Sequence, residues 1–329
     1  MLRYLVKRVL QSVVTLIVIS IVTFLLFFVA PASPARIMCG KNCDAVTVAS
    51  VERRLGIDQP ITTQYVKYVK GVFVGRTYGE GDLARQCPAP CLGYSFRSDE
   101  PVTDILKRTV PVTISIVAGA AVVWLVIGIS LGMVSALRRG TLFDKVAMGS
   151  SLTFASMQVY FLGLIFLLIF VYSTRIMSFP RWAPPTQDPA AWLKSMILPW
   201  ITLGLLNSAI YARLSRAQML ETLSEDYVRT ARAKGLPKRR VYLKHALRAA
   251  LTPMVTIAGL DIGAALGGTV ITETVFNLQG LGRTAVDSAV IWNMPVVMAT
   301  VLLAAFFIVV MNVLVDMLYA VIDPRVRLS

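Results

Sequence analysis

"EDYVRTARAKGLPKRRVYLKHALRAALTP", residues 225–253, lies between stretches that carry almost no charge. It crowds eight Lys and Arg residues around one Gly235-Leu236-Pro237 break, in a chain that is 56% hydrophobic. Such a stretch is either a plain solvated loop or a folded surface for docking. Its own residues favour the second. Thr222 and Glu225 have the spacing of a capping box. Glu225 and Asp226 put acids in a first turn, where the helix dipole favours anions. Arg229, Arg232 and Lys234 come late in the same short helix, which also suits the dipole. Gly235 fits the position after a helix end, and Pro237 cannot continue the helix. A second helix is expected over 238–249, with a return into apolar sequence near Thr252-Pro253. Ala231 and Ala233 are small enough to let another surface approach, and the flanking cations would orient it. The segment reads as a short helix parallel to a membrane, ready for a groove in a soluble partner.

The flanking sequence supplies the membrane. The chain has 329 residues, a mean hydropathy of +0.67 and only 16% charged residues. No charge occurs from Arg8 to Arg36, Arg108 to Arg138, Lys145 to Arg175, Lys194 to Arg213 or Asp287 to Asp316. A sixth run, Leu251 to Thr272, is broken only by Asp261. A spanning helix needs roughly 20 apolar residues, at about 1.5 Å rise across about 30 Å of hydrocarbon. Six transmembrane helices are expected, near 9–30, 112–137, 146–173, 195–214, 253–276 and 296–319. Arg3, Lys7 and Arg8 before the first run, with "APASPA" after it, resemble a signal peptide. The apolar core of a signal peptide is about 7–15 residues, and this run is about twice that, so a retained helix is expected.

The net charge of +15 suggests nucleic acid until its distribution is read. With the N-terminus inside, the cytoplasmic pieces hold Arg3, Lys7, Arg8, Arg138, Arg139, Lys145, Arg325, Arg327 and ten basic residues from Arg213 to Arg248. The short outer loops hold only Arg175, Arg181, Lys194 and Arg283. That is the positive-inside bias of a multi-pass membrane protein. It places both termini in the cytoplasm and leaves no call for a nucleic-acid partner.

The outer segment between the first two spans, 31–108, is too long to be a passive linker. "VTDILKRTVPVTISI" looks like an amphipathic helix feeding the second span. All four cysteines lie here: Cys39 and Cys43 in "CGKNC", Cys87 and Cys91 in "CPAPC". An oxidising outer compartment favours disulfides over a four-thiolate zinc site, and the pairing stays open. In the fifth span Gly259, Gly263 and Gly267 share one face, for static packing or for sliding. Asp261 sits among them. An ionisable residue in a membrane helix faces a polar cavity or a partner, which makes Asp261 the candidate for a translocation path. Asp316 reads first as a packing or interface residue.

No G-x-x-x-x-G-K-[ST] loop is present, so ATP is not bound by that device. His245 is the only histidine, and no nucleophile–base pair suggests itself. An enzyme is therefore disfavoured, with no catalytic residue and no metal or cofactor of its own expected. An ion-coupled secondary transporter should show charged or broken helices in matched repeats, and one intramembrane charge without an inverted repeat does not fit.

"DYVRTARAKG" followed by "RRVYLKHALRAALTPMVT" resembles the EAA signature of bacterial ABC importer permeases, and more narrowly the oligopeptide/dipeptide permease family. "RYLVKRVLQSVVTLIVISIVTFLLF", "LGIDQPITTQYVKYVKGVFVG", "YSFRSDEPVTDILKRTVPVTISI", "ETVFNLQGLGRTAVDSAV" and "LVDMLYAVIDPRVR" extend the resemblance over nearly the whole chain. The resemblance implies an all-α membrane protein with the type I importer (MetI-like) fold. Its parts would be a stub and first helix at 1–30, the outer segment at 31–108, a permease core at 109–320 containing cytoplasmic coupling helices at 221–249, and a tail at 321–329. It implies a coupling surface of Glu225, Asp226, Tyr227, Arg229, Thr230, Ala231, Ala233, Lys234 and Gly235 set into an ATPase cleft. It also implies a sister permease, two ATPase subunits that use ATP and Mg, an extracytoplasmic binding protein and a cell-membrane location. The implied substrates are di- and oligopeptides, with nickel chelates, glutathione and small glycans as the alternatives. The paired Cys insertions depart from the family pattern.

Overall fold

Five helices are long and apolar enough to cross a membrane, and the third charge-poor run folds as a bent pair, in a computed structural model that describes residues 2–28, 59–79 and 84–322. Cys39, Cys43, the sequence just before Gln59 and the tail from 323 lie outside the described residues.

In chain order, α1 (Leu2–Phe28) precedes α2 (Ile61–Val74) and two small antiparallel hairpins. The hairpins pair β1 (Arg76–Tyr78) with β2 (Arg85–Cys87), and β3 (Tyr94–Ser95) with β4 (Glu100–Pro101). Then come α3 (Val102–Leu137), α4 (Leu142–Ser156) and α5 (Val159–Ser173). After these come α6 (Pro189–Ser224), α7 (Asp226–Ala233) and α8 (Lys238–Leu266). Finally α9 (Val270–Val275), α10 (Leu281–Val290) and α11 (Met294–Ile322) complete the chain.

The expected boundaries needed five corrections. The third span is not one helix: α4 and α5 meet at 102°, because Met157 and Gln158 are both extended (ψ 147° at each). Hydropathy counts charge and does not see that break. The fourth span is longer than its apolar run, since α6 reaches Ser224 and thereby absorbs the first residues expected in the coupling segment. The second coupling helix and the fifth span are one helix, α8, which runs through Pro253. Proline removes one backbone donor and bends a helix, and in a membrane span neighbouring groups tolerate this. That same span stops at Leu266 rather than Phe276, and residues 270–275 turn away as α9. The amphipathic segment "VTDILKRT" is continuous with the second span as α3, with no break at Arg108.

Close backbone approach fixes how the helices run. A methyl group at Gly128 of α3 would sit 2.6 Å from Tyr211 Cβ of α6, and one at Gly132 would sit 2.3 Å from the Ala212 carbonyl. On α6, Gly204 is equally tight against Val123, at 2.4 Å. Residue numbers rise together on both helices, so α3 and α6 run in the same direction. The chain must cross back between them, and α4 with α5 is the only described stretch that does so. In α8 the numbers run oppositely: Gly259 meets Val315, Gly263 meets Met311, and Gly267 meets Ala304, so α11 is antiparallel. The glycine face is thus spent on packing against α11. Arg8 of α1 pairs with Asp316 of α11 at 2.9 Å and Phe24 shares a cluster with Met298, so α1 is antiparallel to α11 as well. The start of α1, the ends of α3, α6 and α11, and the basic segment therefore share one end of the bundle.

Trp124 and Tyr211 stack at 6.5 Å between ring centroids at the α3–α6 seam. Around them Ile116, Met196, Leu198, Phe276 and Leu278 are fully enclosed.

Candidate functional site

The basic segment leaves α6 through one extended residue, Glu225 (ψ 146°), and turns at once into α7. The capping box does not form. Thr222 still belongs to α6 and donates its hydroxyl to the Gln218 carbonyl at 2.8 Å, while Glu225 holds the N-cap position without a side-chain bond. Asp226 opens the first turn and faces Arg229 at 3.8 Å. Both are well exposed, so the pair adds well under about 1 kcal/mol. The end forms as expected. Gly235 takes φ +73°, its N–H reaches the Arg232 carbonyl, and the Leu236 N–H reaches that of Ala231.

One face of α7 is glued to the bundle. Val228 and Ala231 are buried with Val241 of α8, flanked by Leu223, Leu236 and Tyr242. Arg232 lies over the Tyr242 ring at 5.9 Å. Ala231 is thus part of this internal pad and does not offer itself outward, because its place three residues after Val228 puts both on the same face. Tyr227, Arg229, Thr230, Ala233, Lys234 and Gly235 remain exposed. Partial burial and the neighbouring Glu225 raise the Tyr227 phenol above its ordinary value.

Below this pad a second cluster, Ala136, Met219, Ala246 and Ala250, joins α3, α6 and α8. Beside it stands a group that the sequence reading missed. Asp144, in the first turn of α4, takes two bonds from Arg216 of α6, at 2.7 and 2.8 Å. It also accepts from the Ser135 hydroxyl of α3 and from the Gly140 N–H at 2.9 Å. One carboxylate therefore ties together the ends of α3, α4 and α6. The sequence showed only a tight turn, "LRRGTLFDK". Its signal was Thr141, three residues before Asp144, which caps α4.

Asp261 accepts the Tyr211 hydroxyl at 2.7 Å, linking α8 to α6 in mid-helix. It is partly buried. Toward the far end of the bundle a second carboxylate escaped the sequence reading, Glu273 of α9, with 0% exposure. Thr113 of α3 donates to it at 2.8 Å and the Arg283 backbone N–H of α10 at 2.7 Å. Thr113 in turn accepts the Leu281 N–H at 2.7 Å. Glu273 so serves the Arg283 N–H directly and the Leu281 N–H through Thr113, two of the N–H groups that the start of α10 leaves without a helical partner, where a negative charge is also favoured by the dipole. Helix α10 forms one wall of an open cavity of about 910 Å³, with Arg108, Trp182 and Asn293 on other sides.

Cys87 and Cys91 are bonded to each other, which leaves neither as a zinc thiolate. They close a short loop between the two hairpins, and beside it Tyr78 of the first hairpin packs against Tyr94 of the second. Among the described residues no cluster suits a metal ion.

Residues 128–328 match the family described as "Binding-protein-dependent transport system inner membrane component". The chain belongs to that family. Residues 1–117 match its N-terminal companion, the membrane component's N-terminal region. A glutathione transport system permease protein of Pectobacterium atrosepticum is 38% identical over 99% of both chains. One of Escherichia coli K12 is 37% identical over the same shares. A putative peptide transport system permease protein of Brucella abortus is 35% identical over 98% of both. Among solved structures, the MetNI methionine ABC transporter in an inward-facing conformation gives a TM-score of 0.51 at 17% identity, over 67% of this chain and 97% of that one. At that identity the likeness speaks for the fold, which is the type I importer permease fold. The protein is an ABC importer permease, an inner-membrane component that works with a binding protein and an ATPase.

Proposed function

We propose that this permease forms half of a path for di- and oligopeptides, driven through alternating access by ATP hydrolysed in partner subunits. The observation that carries this is α7, a short helix glued by Val228 and Ala231 to the bundle with its opposite face bare. Such a helix moves with α6 and α8 when its exposed face is pushed. Glu225, Asp226, Tyr227, Arg229, Thr230, Ala233, Lys234 and Gly235 form the face offered to the ATPase, and Ala231 backs it. ATP and Mg stay with that partner. A sister permease supplies the other half of the path, two ATPases sit at the α7 end, and the binding protein docks at the far end beside the Cys87–Cys91 loop. Both termini then face the cytoplasm. Asp261 lines the path, positioned by Tyr211.

Glutathione is the second reading, favoured by relatives of that name matching 99% of the chain. Uptake into proteoliposomes holding the full complex separates the two. ATP-dependent accumulation of labelled di- or oligopeptide, with glutathione a poor competitor, supports the first reading. Glutathione accumulation supports the second. Uptake that persists with the ATPases omitted or catalytically dead defeats both.

A further inference from the structure

Helix α2 belongs to the segment between the first two spans, and its place in the bundle is unexpected for a purely aqueous element. Its inner face, Tyr65, Tyr68, Val69 and Val72, packs on Phe24 and Phe27 of α1 and on Met298 and Leu302 of α11. Phe24 and Tyr65 meet edge to face at 5.4 Å.

The depth of that contact follows from helical rise. The Arg8–Asp316 pair marks one surface of the bundle. Phe24 lies sixteen residues beyond Arg8 along α1, which is about 24 Å at about 1.5 Å per residue. Met298 lies eighteen residues before Asp316 along α11, which is about 27 Å by the same rise. The hydrocarbon is about 30 Å thick. Helix α2, resting on these side chains, therefore sits at the boundary between acyl chains and headgroups.

Its outer face has the matching chemistry. Val66 and Phe73, seven residues apart on one flank, are 62% and 78% exposed. Lys67 and Lys70 occupy the adjoining flank, and α2 contains no acid. Lys67 donates to the Gln59 side chain at 2.6 Å, which leaves its charge intact. An apolar flank beside a cationic flank is how a helix seats in a membrane interface. Long lysine side chains reach up to headgroups from such a position.

We propose that α2 is an interfacial helix bound to anionic phospholipid, with Val66 and Phe73 among the acyl chains and Lys67 and Lys70 at the headgroups. The proposal rests on α1 and α11 spanning the membrane and is independent of what the permease carries.

The test uses the full complex in lipid nanodiscs, comparing F73W with the native protein. Its five native tryptophans make the difference spectrum the readout. The added indole is expected to emit to the blue and to be quenched by lipids brominated in their acyl chains, while aqueous iodide leaves it bright. Quenching by iodide and not by brominated lipid overturns the proposal. So does an indole shielded only after the binding protein is added, which would give this face to a protein. In parallel, K67Q and K70Q are each expected to lower the preference for phosphatidylglycerol over phosphatidylcholine about fivefold, the equivalent of about 1 kcal/mol per cation. An unchanged preference also overturns it.

Discussion

Glu273 accepts the backbone N–H of Arg283 at 2.7 Å, across ten residues and two helices. No cation answers this buried carboxylate among the described residues. The Arg283 side chain goes instead to Asn277 at 2.7 Å and Asp287 at 3.6 Å. Its hydrogen bonds come from the Thr113 and Thr269 hydroxyls and from the Arg283 N–H at the start of α10. Gly280 has to be glycine for this, since a methyl there would lie 2.3 Å from the Glu273 carboxyl carbon.

Removing the carboxylate strands its donors. Glu273→Ala is expected to destabilise the complex by about 1–3 kcal/mol for each buried donor left without a partner, read as a lowered unfolding temperature in detergent. Thr113→Val should cost a similar amount, and the double variant less than the sum, because both act through one network. Additive losses would show that the two residues are not coupled.

The Asp144–Arg216 pair makes an opposite demand. Arg216→Ala leaves the Asp144 carboxylate without its cation and is expected to lower the unfolding temperature. Replacing both residues by apolar ones of similar size should cost far less, since a buried pair adds little net stability over such a replacement. Expression and thermal stability of the two variants, side by side, decide it.

Ala233 and Ala231 separate docking from folding. Ala233→Asp, on the bare side of α7, is expected to abolish ATP-driven uptake while the permease keeps its native unfolding temperature. Ala231→Asp should lower both, because it buries a carboxylate beside Val228 and Val241. Equal thermal losses from the two would mean that α7 presents its other face.

Gly235 has open space around it but a φ of +73°. Gly235→Ala is therefore expected to cost about 1 kcal/mol through backbone strain alone, with partial loss of uptake. Gly132→Val meets the backbone of α6 directly and should prevent assembly, measured as permease missing from the membrane fraction.

Charge and hydropathy made the six crossings legible, because a helix in lipid cannot hide an ionised side chain cheaply. The same rule explains the failures. Pro253 was taken as a boundary, yet in lipid the helix continues past it. The extended pair Met157-Gln158 carries no charge and no proline, so nothing marked the bend between α4 and α5. Gly235 was readable because only a small residue accepts φ +73° without strain. Asp144 and Glu273 were not readable, since their partners come from other helices, 72 and 160 residues away. Asp261 stood out for lack of charged neighbours in sequence, but its Tyr211 partner is 50 residues distant.

Arg8 and Asp316 are 308 positions apart, and that separation has a consequence for synthesis. Among the described residues, α1 is paired with α11, which is made long after it. At about 5–20 residues per second, α1 stands in the bilayer for roughly 15–60 s before its partner exists. A chain stopped short of α11 lacks Asp316, and with it this contact between α1 and α11. The ion pair therefore forms only after the intervening spans are in the bilayer, and it joins α1 to the bundle late.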